Sequence, residues 1–196
     1  MNKDRRILIL GGSGMLGHVL WGRLSQRFAD IYATLHKGVR DYGDIGFCRI
    51  DRIIDHVDVM DLEILKGVIK VIKPDFILNC IGITKRREEQ GHPIPSIILN
   101  ALLPHELAKV AADVNAKLIH FSTDCVFDGR DGNYSDDATT NATDLYGRTK
   151  ALGEVKGNNV LTLRSSFIGK ELQDGTELLE WFLSQRKIAH GFKNAI

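Results

Sequence analysis

At 196 residues, 43% hydrophobic and 26% charged, the chain has room for one compact domain with a sizeable core and the start of a second, but not for two full catalytic domains. Its 26 Lys+Arg against 25 Asp+Glu give a formal charge of +1 without any basic block, which argues against nucleic acid or an anionic membrane surface as partner. The apolar stretches fall well short of the roughly 18 residues of a membrane span, and Met1–Arg6 runs into a strand-like segment with no signal-peptide core, so the expected location is the cytoplasm.

In chain order, Ile7–Leu10 is a continuous apolar run of the kind that forms a strand buried on both faces. Met15–Arg27 follows with helical spacing, and Ile31–Leu35 reads as the second strand. The Asp61–Ile72 segment is helical with Asp61 as its N-cap. Phe76–Leu78 is a strand, Ile97–Val114 a helix, and Leu118–Phe121 a strand. A long polar loop then covers Asp128–Asp144, a length that inside a compact domain is usually functional. Leu145–Lys156 is helical with Gly157 as its stop, and Val160–Leu163 is the last strand. Strand and helix alternate throughout, which predicts a doubly wound parallel sheet with helices on both faces, a Rossmann-type α/β fold. Cys48, Cys80 and Cys125 are widely spaced, without a CxxC pair, and read as reduced thiols; the seven histidines have no ligand spacing, so no metal site is expected.

In such a sheet ligands bind beyond the carboxyl ends of the strands. Here those ends carry Gly11-Gly12-Ser13-Gly14, Asn79-Cys80-Ile81-Gly82, Ser122-Thr123-Asp124 and Ser165-Ser166. Short polar residues also end strands in sheets without a site there. The run Gly11-Gly12-Ser13-Gly14-Met15-Leu16-Gly17 lies between the first strand and the first helix and satisfies GxGxxG from Gly12. Glycines there let a pyrophosphate approach the backbone, and the helix N-terminus offers N–H groups to the anion. Gly11, Ser13, Gly14, Met15 and Leu16 are therefore candidate cofactor contacts. The second strand ends at His36-Lys37-Gly38 with Arg40 nearby and no carboxylate to hold a ribose 2′-hydroxyl. Lys37 and Arg40 would suit a 2′-phosphate, which favours NADP; solvated loop charges are the plain alternative, and NAD stays open. Asp58-Val59 precedes the Asp61 helix, where the carboxylate could accept from an adenine amino group and the valine cover its ring.

Tyr146-Gly147-Arg148-Thr149-Lys150 puts a phenol and an ammonium four residues apart on one helix face. A nearby cation lowers a phenol's pKa from about 10, making Tyr146 a usable general acid toward a carbonyl, with Thr123 as hydrogen-bond donor to the same oxygen. An accidental pair on an amphipathic helix is the bland alternative, and the glycine loop upstream weighs against it.

With Gly11 to Gly17, Asn79 to Gly82, Phe121-Ser122-Thr123-Asp124-Cys125-Val126-Phe127-Asp128-Gly129 and Tyr146-Gly147-Arg148-Thr149-Lys150-Ala151-Leu152-Gly153-Glu154 in place, nearly the whole chain resembles the extended short-chain dehydrogenase/reductases, most closely their dTDP-4-dehydrorhamnose reductase branch. The resemblance implies hydride transfer from a nicotinamide cofactor to a nucleotide-linked 4-keto-6-deoxy sugar. It makes Thr123, Tyr146 and Lys150 the catalytic set, with Tyr146 and Lys150 also touching cofactor, and Asn100 a supporting residue. Cys80, Ile81 and Gly82 become cofactor contacts, and Thr123, Cys125 and Phe167 substrate contacts. It leaves a homodimer open as the assembly.

Two departures bear on the transfer. Cys125 stands where the branch most often has tyrosine, and the chain stops at Ile196, soon after Trp181–Leu183. Residues 1–170 are thus expected to be an NAD(P)-binding domain and 171–196 the start of an incomplete substrate-binding region. Cys125 after Asp124, in place of the glutamate of sugar dehydratases, counts against dehydration. An epimerase, and a non-catalytic NADP-binding regulatory subunit like that of methionine adenosyltransferase, remain as alternatives.

Overall fold

In the computed structural model, which describes residues 5–42, 49–85, 93–173, 175, 177–186 and 188–190, Ile7–Leu10 forms the central strand β1. Leu8 and Leu10 enter the core on one face of the sheet, Ile7 and Ile9 the core on the other. A strand apolar at every position needs cover on both faces. Around it lie β2 (Ile31–Thr34), β3 (Ile53–Ile54), β4 (Phe76–Asn79), β5 (Lys117–Ser122) and β6 (Val160–Arg164). All pairings are parallel and the order is β3-β2-β1-β4-β5-β6. The order reverses between β1 and β4, as in a dinucleotide-binding doubly wound sheet, so the expected fold class is the observed one. Strand β3, only two residues long, has too little sequence to show a periodicity.

Helix α1 (Met15–Leu24) covers one face with the fully buried Trp21. The other face is covered by α2 (Leu62–Ile72) through Leu65 and Ile69, and by α4 (Leu103–Asp113) through Leu103, Leu107 and Val110. Asp61 does cap α2, its carboxylate accepting from the Glu63 and Ile64 N–H groups at 3.0 and 3.2 Å. Cys48 lies outside the described residues; Cys80 and Cys125 are free thiols. Among the described residues no helix is long and apolar enough to cross a membrane.

The stretch expected to be one regular helix, Ile97–Val114, is not. A short α3 (Pro93–Ser96) passes into a π-helical turn, Ile97–Leu102, before α4 begins, and the Leu103 N–H reaches back five residues to the Ile98 carbonyl. Pro104 is the cause: it has no N–H for the Asn100 carbonyl, and its ring crowds the residue four before it, so the helix widens there. Helix α5 (Leu145–Leu152) also ends earlier than expected, at Gly153 rather than Gly157. A Cβ on Gly153 would run into the Asn100 carbonyl oxygen, so the end of α5 packs directly on the widened turn. The last helix is α6 (Leu178–Ser184).

Candidate active site

The glycine loop is shaped from below by β2 and from the side by β4. Gly11 has φ +78°, the left-handed region, and donates its N–H to Thr34 Oγ1 at 3.2 Å, while Gly12 donates to the Thr34 carbonyl at 2.8 Å. A Cβ on Gly11 would come within 3.3 Å of the Cys80 backbone, so the loops after β1 and β4 abut at the point where the strand order reverses. Gly17 lies against the Gly11 carbonyl, where no side chain fits. Gly14 differs: it is exposed, its backbone is extended, and a Cβ would meet only ordinary contacts. Gly14 opens α1 with no side chain capping it, so the N–H groups of the first turn, around Met15 and Leu16, face out beside Ser13. This cradle fits the pyrophosphate of a dinucleotide.

Beyond β2, Lys37 and Arg40 are both exposed, on a turn held by the Val39 N–H on Asp55 (3.0 Å) and the Lys37 N–H on the Tyr42 hydroxyl (3.3 Å). The Asp55 carboxylate is thus engaged with backbone. Asp58 is exposed and accepts from the Met60 N–H at 2.9 Å; Val59 is half-buried and packs on the core.

Strand β5 and helix α5 bring the reacting groups together. Thr123, just after β5, is almost fully buried and caps the short turn Asp124–Val126, its Oγ1 accepting from the Cys125 N–H at 3.1 Å and donating to Asp124 at 3.0 Å. Asp144 caps α5, accepting from the Gly147 N–H at 2.8 Å, and is itself paired with Lys85 at 3.1 Å. From that helix the Tyr146 phenol comes close enough to Thr123 to feel its hydroxyl. Lys150, 5% exposed, donates from Nζ to the Phe121 carbonyl at 2.6 Å. Gly82 faces this lysine: a Cβ there would lie 3.9 Å from Nζ and 3.2 Å from Asn100 Oδ1. Cys125 is exposed beside Thr123, and Phe167 packs edge-on against Phe121 at 5.7 Å.

The electrostatics correct one expectation. Tyr146 is not brought down by Lys150: burial, with Cys125, Asp124 and Glu177 adding to it, pushes the phenol up to about 12 against the opposing influence of the Thr123 hydroxyl. Lys150 is brought down to about 8 by burial, opposed by Glu154. Desolvation sets the direction for the phenol, and the Lys150 ammonium is directed at the Phe121 carbonyl. Tyr146 is accordingly a protonated phenol at neutral pH. Cys80 is pushed up to about 12 by burial, so its thiol stays protonated.

Asn100, on the π turn and fully buried, accepts from the Ile83 N–H at 2.9 Å and donates to the Ile83 carbonyl at 3.0 Å, pinning the loop after β4. Asn79 starts that loop, its Oδ1 taking the Ile81 N–H and its Nδ2 reaching His120 Nδ1 at 3.1 Å. Sequence reasoning missed His120, Glu154, Arg164 and Glu177 as part of this neighbourhood. Glu154 carried a signal, four residues beyond Lys150 as Tyr146 is four before it. Glu177, whose carboxylate accepts from Thr84 Oγ1 at 2.7 Å, carried none.

A family model, the RmlD substrate binding domain, matches residues 5–184. Methionine adenosyltransferase 2 subunit beta of Xenopus tropicalis is 30% identical over 150 residues, 76% of this chain and 42% of that protein. The dTDP-4-dehydrorhamnose reductase of Mycolicibacterium smegmatis is 31% identical over 152 residues, 76% of this chain and 40% of that one. The chain therefore spans less than half the length of these curated relatives. Among solved structures, dTDP-4-dehydrorhamnose reductase from Bacillus anthracis in complex with NADP superposes with a TM-score of 0.66 at 26% identity, over 83% of this chain and 54% of that one.

Proposed function

We propose, for a chain that belongs to the RmlD substrate binding domain family, that it is the cofactor-binding part of an NADP(H)-dependent reductase acting on a nucleotide-linked 4-keto-6-deoxy sugar. The observation that carries this is the meeting of Thr123, Tyr146 and Lys150 beside the loops that follow β1 and β4. The relative whose solved structure holds NADP supports the cofactor.

The dinucleotide would rest on Gly11, Ser13, Gly14, Met15 and Leu16, between Lys37 and Arg40 on one side and Cys80, Ile81 and Gly82 on the other. Asp58 and Val59 would lie near its adenine. When bound, it supplies the hydride. The chain's own part is the proton: Tyr146, held as a phenol by burial, donates to the carbonyl oxygen as negative charge develops there. Thr123 Oγ1, fixed by the Cys125 N–H, would orient that oxygen by turning its single O–H from Asp124 to the carbonyl. An ammonium has three donors; Lys150 gives one to Phe121 and would give another to the ribose beside Gly82. Cys125 and Phe167 flank the place of the sugar. Residues 1–170 would form the dinucleotide domain and 171–196 open the substrate-binding region, in a cytoplasmic homodimer.

The test is oxidation of NADPH with a dTDP-linked 4-keto-6-deoxy sugar in a form that carries a complete substrate-binding region, wild type against Tyr146→Phe, with NADPH affinity followed by fluorescence. General acid loss lowers turnover about 10²- to 10⁴-fold while affinity holds. Near-normal turnover in Tyr146→Phe refutes the assignment. NADPH binding without turnover is the expected result for residues 1–196 alone; the same result once a complete substrate-binding region is supplied favours the regulatory reading, which the likeness to the methionine adenosyltransferase subunit supports.

A further inference from the structure

Tyr146, Lys150 and Glu154 recur every four residues and so stack along one side of α5 and its end. Glu154 is tightly held. Its Oε1 accepts from Ser122 Oγ at 2.8 Å and from Arg164 Nε at 2.8 Å, and its Oε2 accepts from Arg164 Nη2 at 2.7 Å. Ser122 directly follows Phe121, whose carbonyl takes the Lys150 ammonium, so carboxylate and ammonium are fixed to adjacent residues of β5. Arg164, from the end of β6, reaches further: Nη1 donates to the Asp136 carbonyl at 3.0 Å, and the guanidinium lies 5.0 Å from the centre of the Phe127 ring. Phe127 in turn stacks on Tyr134 at 4.2 Å. The long loop between β5 and α5 is thereby tied to the same carboxylate.

We propose that Glu154 is a positioning residue that serves as counter-charge to the buried Lys150 ammonium, and that Arg164, by clamping Glu154, sets how much of that charge Lys150 feels while it anchors the Asp128–Asp144 loop. Other groups facing Lys150 do not take this part. His120 on β5 is held neutral by burial, at about 3, Tyr146 is a protonated phenol, and Asn100 and Gly82 are uncharged. Glu154 is the carboxylate that opposes the burial of Lys150. This rests on the reading of Lys150 as a cofactor-holding cation, and the test separates the two.

The measurement is a carbon-13 NMR titration of the lysine Cε signals in the cofactor-free chain, with Lys150 assigned by its loss in Lys150→Met. Glu154→Gln keeps the oxygen that accepts from Ser122 and Arg164 and removes the charge. The Lys150 midpoint should fall by about 1 unit from its starting value near 8. Arg164→Gln unclamps the carboxylate and should move the midpoint the other way. If Glu154→Gln unfolds because Arg164 is left uncompensated, the double variant Glu154→Gln/Arg164→Met removes that charge and must show a lower Lys150 midpoint than Arg164→Met alone. A Lys150 midpoint unmoved in Glu154→Gln, or lowered equally by Arg164→Gln, overturns the proposal, since a merely structural carboxylate would change stability without moving the titration. NADPH affinity measured across the same pH range tests the underlying reading. If the midpoint moves as stated but affinity does not follow it, the counter-charge stands and the cofactor role of Lys150 falls.

Discussion

Replacing Asn100 with alanine tests whether the loop after β4 is held from behind by a single side chain. Asn100 is fully buried and makes two good hydrogen bonds to Ile83, at 2.9 Å to the N–H and 3.0 Å to the carbonyl, with a weaker contact to Thr149 Oγ1 at 3.4 Å. Truncation leaves both backbone groups of Ile83 unpaired at about 1–3 kcal/mol each when water cannot reach them. Ile83 is half-buried, so partial solvation trims the total to about 2–4 kcal/mol. Urea unfolding followed by circular dichroism reads this as a lower midpoint at unchanged slope. Because Ile83 directly follows the Cys80–Gly82 segment, NADPH affinity should fall as well. A loss below about 1 kcal/mol with unchanged NADPH binding would refute the claim that this amide, rather than the strand end itself, sets the loop.

Gly14→Val should leave the urea midpoint nearly unchanged and abolish NADPH binding, because a side chain there meets ordinary contacts in the protein but blocks the cradle; Gly17→Ala, whose Cβ runs into the Gly11 carbonyl, should instead cost about 1–3 kcal/mol of stability. Equal effects of the two on unfolding would show that the loop geometry is misassigned. Lys37→Ala/Arg40→Ala should lower the preference for NADPH over NADH about tenfold, a discounted value for exposed charge-assisted bonds, and titrations with both cofactors giving an unchanged ratio would remove these residues from recognition. His120 is depressed by burial from 6.5 to about 3, so the unfolded chain binds the extra proton between those values and stability is lost as pH falls through that window. From pH 7 to 5 the wild type should lose about 2 kcal/mol that His120→Asn does not lose, and parallel pH dependences of their urea midpoints would contradict the burial of a neutral imidazole.

The Rossmann-type sheet, the glycine loop and the Tyr146–Lys150 spacing were legible in the chain because each is a local pattern. Apolar runs such as Ile7–Leu10 need no partner to be recognised as buried on both faces, and residues four apart on a helix share a side whatever packs on it. Even the Asp61 cap depends only on its neighbours two and three residues ahead. What depends on residues far apart in the chain was decided by the tertiary structure. Pro104 inside an expected helix was visible, but that it widens the turn so that Asn100 can grip Ile83 and receive Gly153 follows only from where the loop after β4 and the end of α5 meet. The same holds for charge. Read along the helix, Lys150 should pull the Tyr146 phenol down; in the fold Lys150 is buried and Tyr146 half-buried, Lys150 turns to the Phe121 carbonyl, and desolvation moves the phenol up and the lysine down. Spacing fixes which groups share a face, whereas protonation depends on how much water and which charges from β5 and β6 surround them, and those arrive only when the sheet closes.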